Sequence, residues 1–327
     1  MTDIKLIEPE NGSITAPLQK YDLPQLNDRK DRSLPQAVSF IWEAYPDVTY
    51  DLLISPNPDF KDSRHITALS EPRAEVLHLH VATRYFWKVM AKRAGQFLTE
   101  SPTWSFTTNR ATPRWMHIPG TTNVRDIGGW PLPNNCMVRQ GVFYRSSQMN
   151  GAVQITAEGQ KLLEQDLGIR TDLDFRGPVE NPYPVLDEDK VQWINVPINA
   201  YSHISNEEGQ EGYRKIFEIF ADASNHPILY HCWGGADRAG TVSFLLNALL
   251  GVEIENITRD YELTSLSIWG ERSRESKEFK GLIDALAPFG DGTGSFATKA
   301  ESYLLSIGVT PGMIATIREH LVVGQNY

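Results

Sequence analysis

The sequence is short of positive charge and of cysteine, and each shortage closes off a class of function. Lys and Arg number 31 against 41 Asp and Glu, a formal net charge of -10. A nucleic-acid binder needs a basic face to neutralise phosphates, so no nucleic-acid partner is expected. An anionic membrane surface is disfavoured for the same reason. Only two cysteines occur, Cys136 and Cys232, in unlike surroundings. Neither a disulfide framework nor a zinc cluster follows from them, and no metal or cofactor is expected. No run approaches about 18 apolar residues, so no membrane span is expected. The opening MTDIKLIEPENGS lacks the charged and apolar regions of a signal peptide. The expectation is a cytoplasmic protein, or a secreted one if a leader has been trimmed away. The sequence carries no signal for an oligomeric state.

A chain of 327 residues is too long for one ordinary core and points to two domains. Up to about residue 108 it reads as short alternating strands, among them SFIWEAY (39–45), VTYDLLISP (48–56), AEVLHLHV (74–81), YFWKVMAKRAG (85–95) and PTWSFTT (102–108). Turn-rich pieces separate them, which suggests an antiparallel sandwich over 1–110. The stretch NRATPRWMHIPG (109–120) reads as a linker. Beyond it, over 118–327, strands and helices alternate. ITAEGQKLLEQDLG (155–168) is helical, opened by Thr156 and closed by Gly168, and IRTDLDF (169–175) is a strand. VQWINVPI (191–198) and HPILYHC (226–232) are further strands, and AGTVSFLLNALLG (239–251) is a helix ended by Gly251. That alternation implies an α/β fold with a mainly parallel sheet.

The stretch HCWGGADRAG, His231 to Gly240, lies where a parallel strand ends and a helix begins. Ligands of open α/β sheets bind at such edges. The helix start offers unpaired N–H groups, and Gly234 and Gly235 let successive amides turn inward as an anion nest, with Trp233 and Ala236 completing the turn. Arg238 adds a planar clamp for a tetrahedral oxyanion. Cys232 sits at the floor, where the same amides and guanidinium favour thiolate over thiol. The pattern is that of attack on a phosphate monoester through a cysteinyl-phosphate.

The leaving group needs a proton. Asp237 in the loop and Asp174 in DLDFRG are both candidates, Arg176 standing beside the second. A structural ion pair is the plainer reading of Asp174 with Arg176, and a helix N-cap that of Asp237. Arg125 and Asp126 read as a pair fixing the Gly-Gly turn after them. Arg145 reads as a strand end near the pocket, Trp233 as pocket wall or packing, and Cys136 as a hairpin residue.

His231-Cys232-x-x-Gly235-x-x-Arg238 resembles the HCxxGxxR signature of protein tyrosine phosphatases. The chain is more closely similar to bacterial tyrosine/dual-specificity phosphatases whose loop reads HCxxGxDRTG. TTNVRDIGGW (121–130), GVFYRSSQM (141–149), LGIRTDLDFRGPVE (167–180), DYELTS (260–265) and LLSIGVTPGMIATIREHL (304–321) follow that group's order of blocks. Within 1–110, ATRYFWKVMAKRAGQFLTESPTWSFTT and Trp42 resemble a fibronectin type III domain. The resemblance implies Cys232 as nucleophile, Arg238 as phosphate clamp, Asp237 as acid and His231 as a brace. It implies a phosphorylated protein or small phosphate ester as partner. Ala236 replaces a common lysine, and Ala239 replaces the usual Thr or Ser whose hydroxyl helps the thiolate leave. Thr241 is the nearest substitute in sequence. Two further readings stand beside a tyrosine or dual-specificity phosphatase: an inositol phosphate or phosphoinositide phosphatase, and a phospho-ligand or carbohydrate-binding protein with little or no turnover.

Overall fold

The computed structural model describes residues 4–21, 30–290, 292 and 294–324. The chain divides into two units, Met1–Lys20 with Pro35–Arg114 and Asn326–Tyr327, and Tyr21–Leu34 with Trp115–Gln325. The first unit is built from β-strands. Along Arg84–Arg93 every second side chain is buried, the signature of a strand with one face on a core. One sheet joins Leu6–Glu8, Val38–Trp42 and Arg73–Val76. The other runs Ser13–Ile14, Trp104–Thr107, Arg84–Arg93, Thr49–Ser55 and Arg64–Leu69, with Gln96–Glu100 also paired to Arg84–Arg93. Phe40 and Trp42 from one sheet meet Trp87, Tyr50 and Phe106 from the other in a single core. Trp42 is buried edge-on against Tyr50 at 5.3 Å. This is the expected sandwich. The strand expected over 74–81 ends at Val76, and His78 has a positive φ of 67° that breaks extension.

The second unit carries a five-stranded sheet in the order Arg125–Asp126, Phe143–Ser146, Ile228–His231, Thr171–Asp174, Gln192–Asn195. The last four are parallel and the first is antiparallel to its neighbour. His231 lies in register with Ser146 on one side and Asp174 on the other, so three strand ends share one edge. The Arg238–Leu250 helix is buried all along from Ala239 and is closed by Gly251 at φ 89°. Its apolar side chains join Leu173, Phe217, Tyr230, Tyr303 and Ile317 in one core. Among the described residues no helix is long and apolar enough to cross a membrane.

Further expectations need correction. The 109–120 stretch is not an exposed linker throughout: Trp115, Met116 and Ile118 are buried, and the Met116 amide donates to the Val124 carbonyl at 2.9 Å. Its apolar residues are spaced to reach a core, which composition alone concealed. The helix over 155–168 is α-helical only over Ala157–Lys161, with Thr156 as its cap, and continues as a π-helical turn over Leu162–Asp166.

Beneath the sheet edge lies a buried charge network. Arg125 does not pair with Asp126. Its Nε donates to Asp260 Oδ1 at 2.7 Å, and Arg145 Nη1 donates to Asp260 Oδ2 at 2.6 Å. Asp126 instead accepts from the Gly128 and Gly141 amides, both at 2.7 Å, which fixes the turn. All three charged groups are buried. Burial and repulsion from Arg145 lower Arg125 to about 10, and burial of Asp260 is outweighed by the two guanidiniums, which hold it below the usual carboxylate range. Two cations on one anion make Asp260 the member that cannot be spared. Asp260→Asn is therefore expected to cost about 3–5 kcal/mol in urea unfolding; a loss well under 1 kcal/mol would show that Asp260 does not neutralise the pair.

Candidate active site

The Cys232–Arg238 turn follows the Ile228–His231 strand and runs straight into the Arg238–Leu250 helix. Its backbone is turned by its neighbours. The Trp233 carbonyl accepts from the Gln148 amide at 3.0 Å. Asn123 Nδ2 donates to the carbonyls of Gly234 at 3.0 Å and Gly235 at 3.2 Å. Arg145 Nη2 donates to those of Gly235 at 2.6 Å and Ala236 at 3.3 Å. Four consecutive carbonyls are thus drawn outward. In a planar peptide the next N–H points the opposite way, so the amides of residues 234–237 face the concave side. None of them donates to another protein group among the described residues. Gly235 has φ 63°, and a Cβ there would lie 2.3 Å from the Ser146 carbonyl oxygen. No other residue fits.

Cys232 is buried at the start of this turn, while Trp233 beside it is 41% exposed. Arg238 is fixed from behind. Its Nη1 and Nη2 donate to the two Glu180 oxygens at 2.6 and 2.7 Å, and Nη1 reaches the Phe175 carbonyl at 3.3 Å. Burial opposes the charge on Arg238, but Glu180 and the Cys232 sulfur outweigh it and raise Arg238 above its ordinary value. Glu180 itself accepts from the Gly177 amide at 2.9 Å and is lowered, burial being overcome by Arg238. A cavity of about 220 Å³ opens beside this pair, between Gly177–Glu180 and the 197–209 segment.

Asp237 is half-buried, and both of its carboxylate oxygens are engaged. Arg272 donates to it twice, Nε to Oδ1 at 2.8 Å and Nη2 to Oδ2 at 3.0 Å, and the Tyr201 hydroxyl donates to Oδ1. Burial would raise Asp237, but Arg272 and Tyr201 prevail and hold it below the usual carboxylate range. It makes no side-chain cap bond to the helix.

Asp174 and Arg176 form a closed, buried pair: Nη2 to Oδ2 at 2.7 Å, with the Arg176 amide on Oδ1 at 2.9 Å. His231 lies over Asp172 at 3.1 Å and Asp174 at 3.8 Å. Burial works against its charge, but the two carboxylates raise it above the usual histidine value. It stands directly before Cys232 and is buried. Arg145 supports the turn from outside and does not line it. Ala239 is buried in the core. The Thr241 hydroxyl donates to the Asp237 carbonyl at 2.9 Å and accepts from the Tyr201 amide at 3.0 Å, so backbone groups hold it on both sides. Cys136 lies in a separate three-stranded sheet with Pro131–Leu132 and Val322–Gly324.

The residues that sequence reasoning missed are the supports: Asn123, Gln148, Glu180, Tyr201, Asp260 and Arg272. Glu180 carried a usable signal, since it follows a strand ending at the ligand edge. Arg272 carried none.

The tyrosine phosphatase family matches residues 116–323, more than half of the chain. A Cupriavidus necator protein bearing the name putative tyrosine-protein phosphatase is 28% identical, with 43% of this chain and 59% of that protein covered. The chain thus spans less than two-thirds of that relative. Among solved structures, the catalytic core of the PP-IP phosphatase SIW14 from S. cerevisiae is similar at 20% identity, covering 42% of this chain and 78% of that one, with a TM-score of 0.30. TpbA from P. aeruginosa in complex with pTyr gives 14% identity, 54% and 91% coverage and a TM-score of 0.33. A fibronectin type III domain from human KIAA0970 gives 17%, 34% and 76%, with a TM-score of 0.24. With the family matched over residues 116–323, which include the Cys232–Arg238 turn, the chain belongs to the tyrosine phosphatase family.

Proposed function

We propose that the chain is a phosphomonoesterase acting through a cysteinyl-phosphate, with phosphotyrosine as its leading substrate class. The observation that carries this reading is the outward pull on four successive carbonyls, which leaves a ring of inward-facing amides in the turn that begins at Cys232. A tetrahedral dianion fits such a ring, and Arg238 supplies the bidentate cation at its rim. The sulfur of Cys232 attacks phosphorus, the phosphorus–oxygen ester bond breaks, and the alcohol or phenol departs. Water then attacks phosphorus, releasing inorganic phosphate and restoring the thiolate. Amides and guanidinium stabilise the equatorial oxygens in both steps. Glu180 keeps the guanidinium in one plane, and Trp233 offers a wall for an aromatic ring. Asp237 is the carboxylate beside the turn that can serve the leaving group when it carries a proton.

The loop has no second cation of its own, because Ala236 stands where a lysine would add one. That favours a single phosphate over a polyphosphorylated inositol ring. Ala239 bears on the second step. With no hydroxyl at 239 and that of Thr241 committed to backbone, hydrolysis of the phosphocysteine is slowed relative to its formation.

Two outcomes test this. Wild-type protein should release phosphate from an aryl phosphate and a phosphotyrosine peptide, block with vanadate, and prefer both substrates to inositol phosphates. Cys232→Ser should lower the rate by about a thousandfold or more; turnover that survives it would sink the reading. Rapid mixing with p-nitrophenyl phosphate should show a burst of nitrophenol near one equivalent, and Ala239→Thr should shrink it. A linear time course in both proteins would show that hydrolysis of the intermediate is not slow.

A further inference from the structure

Asp237 and Arg238 are neighbours in sequence, and each is locked to a group of opposite charge. The Arg238 pair leaves a cation aimed at the turn. The Asp237 pair has the contrary effect. Both Asp237 oxygens accept from Arg272, and Oδ1 also accepts from Tyr201. Arg272 is itself held: its Nη1 donates to the Trp269 carbonyl at 3.3 Å and the Glu271 carbonyl at 3.0 Å. The segment that carries it is itself pinned. Trp269 Nε1 donates to Thr122 Oγ1 at 2.9 Å, its ring closes over Gly234, and the Arg272 amide donates to Ser265 Oγ at 2.8 Å. Arg274 anchors the far end on Glu262 and Glu255.

We propose that Arg272 is a positioning residue that keeps the Asp237 carboxylate occupied, so that the departing oxygen gets no proton from it and the site is selective for leaving groups stable as anions. The proposal rests on the cysteinyl-phosphate reading and narrows its substrate class. A phenol ionises near pH 10 and can leave as phenoxide. An aliphatic alkoxide is far more basic and needs an acid. Aryl phosphates are then favoured, while phosphoserine, phosphothreonine and inositol phosphates are turned over slowly.

The groups that face Asp237 all press toward the ionised form. Arg272 comes from the pinned segment, Arg238 from the adjoining helix, and the Tyr201 hydroxyl from the 201–205 turn, with Tyr261 behind it at 3.0 Å. Burial is the opposing force, and it loses. A group held below its ordinary value is protonated only at lower pH, so alkyl phosphate turnover that uses Asp237 declines early as pH rises. Taking away Arg272 lets Asp237 rise, and the declining limb moves to higher pH.

The test compares kcat/KM for phosphotyrosine and for glycerol 2-phosphate, an alkyl ester, from acid to neutral pH. Wild-type protein should favour the aryl ester strongly. Arg272→Gln should raise the alkyl rate relative to the aryl rate by about tenfold or more and shift the alkyl limb upward in pH. Adding Asp237→Asn to Arg272→Gln should cancel that gain. Arg272→Lys, with one donor in place of the fork, should lie between and decides the matter if Arg272→Gln does not fold. A ratio and a limb that stay in place in the Arg272 variants would overturn the proposal. So would a wild type equally fast on both esters. Turnover persisting in Cys232→Ser would overturn both readings, and it is told apart because it does not depend on the aryl-to-alkyl ratio.

Discussion

The site depends on one constraint, the outward hold on the carbonyls of the Cys232–Arg238 turn. An isolated chain has no reason to point consecutive amides at one spot, because each N–H there goes without a protein partner. Here Arg145 and Asn123 pull the opposite ends of those peptides from the protein side. Both are held in place by the network around Asp260, since Arg125 donates to Asn123 Oδ1 at 2.6 Å as well as to Asp260. Ser33 adds a further tie, its Oγ accepting from the Asn123 amide at 3.1 Å. The anion nest is thus a consequence of buried charge lying behind it. That ordering explains why three ionic side chains are buried where apolar ones would pack at lower cost.

Two arginine–carboxylate pairs flank the turn, and they do different work because of which partner faces inward. In Arg238–Glu180 the carboxylate is behind and the guanidinium is in front, so the pair stiffens a cation without cancelling it at the mouth. In Asp237–Arg272 the carboxylate belongs to the turn, and the guanidinium neutralises it. On the function proposed above, the first pair serves capture of a phosphoryl group and the second restrains the Asp237 carboxylate. His231 lies buried beside Asp172 and Asp174 directly before Cys232, and the two carboxylates raise its pKa above the usual histidine value against the opposing effect of burial.

The legible part of this protein was whatever depends on local pattern. Alternation over 84–93 and 48–56 gave the sandwich strands. The strand–turn–helix around Cys232 gave the site, because glycines at 234 and 235 and an arginine at 238 act within seven residues. The mainly parallel sheet followed from the alternation of strands and helices. What stayed hidden was long-range. Asp260 lies 115 residues from Arg145, and Arg272 lies 35 from Asp237. No spacing rule links such pairs, since topology alone brings them together. Arg125 and Asp126 illustrate the converse error. Adjacent residues of opposite charge look like a pair, yet on a strand they point to opposite faces, and each found its partner elsewhere.

The small residues at the head of the central helix belong to the same constraint. To reach the Gly235 and Ala236 carbonyls, the Arg145 guanidinium must pass close to the first turn of the Arg238–Leu250 helix. A Cβ on Gly240 would lie 3.3 Å from Arg145 Nη2 and 3.5 Å from the Tyr261 ring. Gly costs a helix interior about 1 kcal/mol relative to Ala, so its presence there needs a reason, and the passage of Arg145 supplies one. Tyr261 is the next residue after Asp260, so the anchor of the network and the wall of the passage move as one. A side chain at 240 would press on Arg145 Nη2, the atom that donates to the Gly235 and Ala236 carbonyls, and so bear on the turn without touching any group that meets substrate. The geometry of the helix start is therefore set by the brace as much as by the ligand it is built to receive.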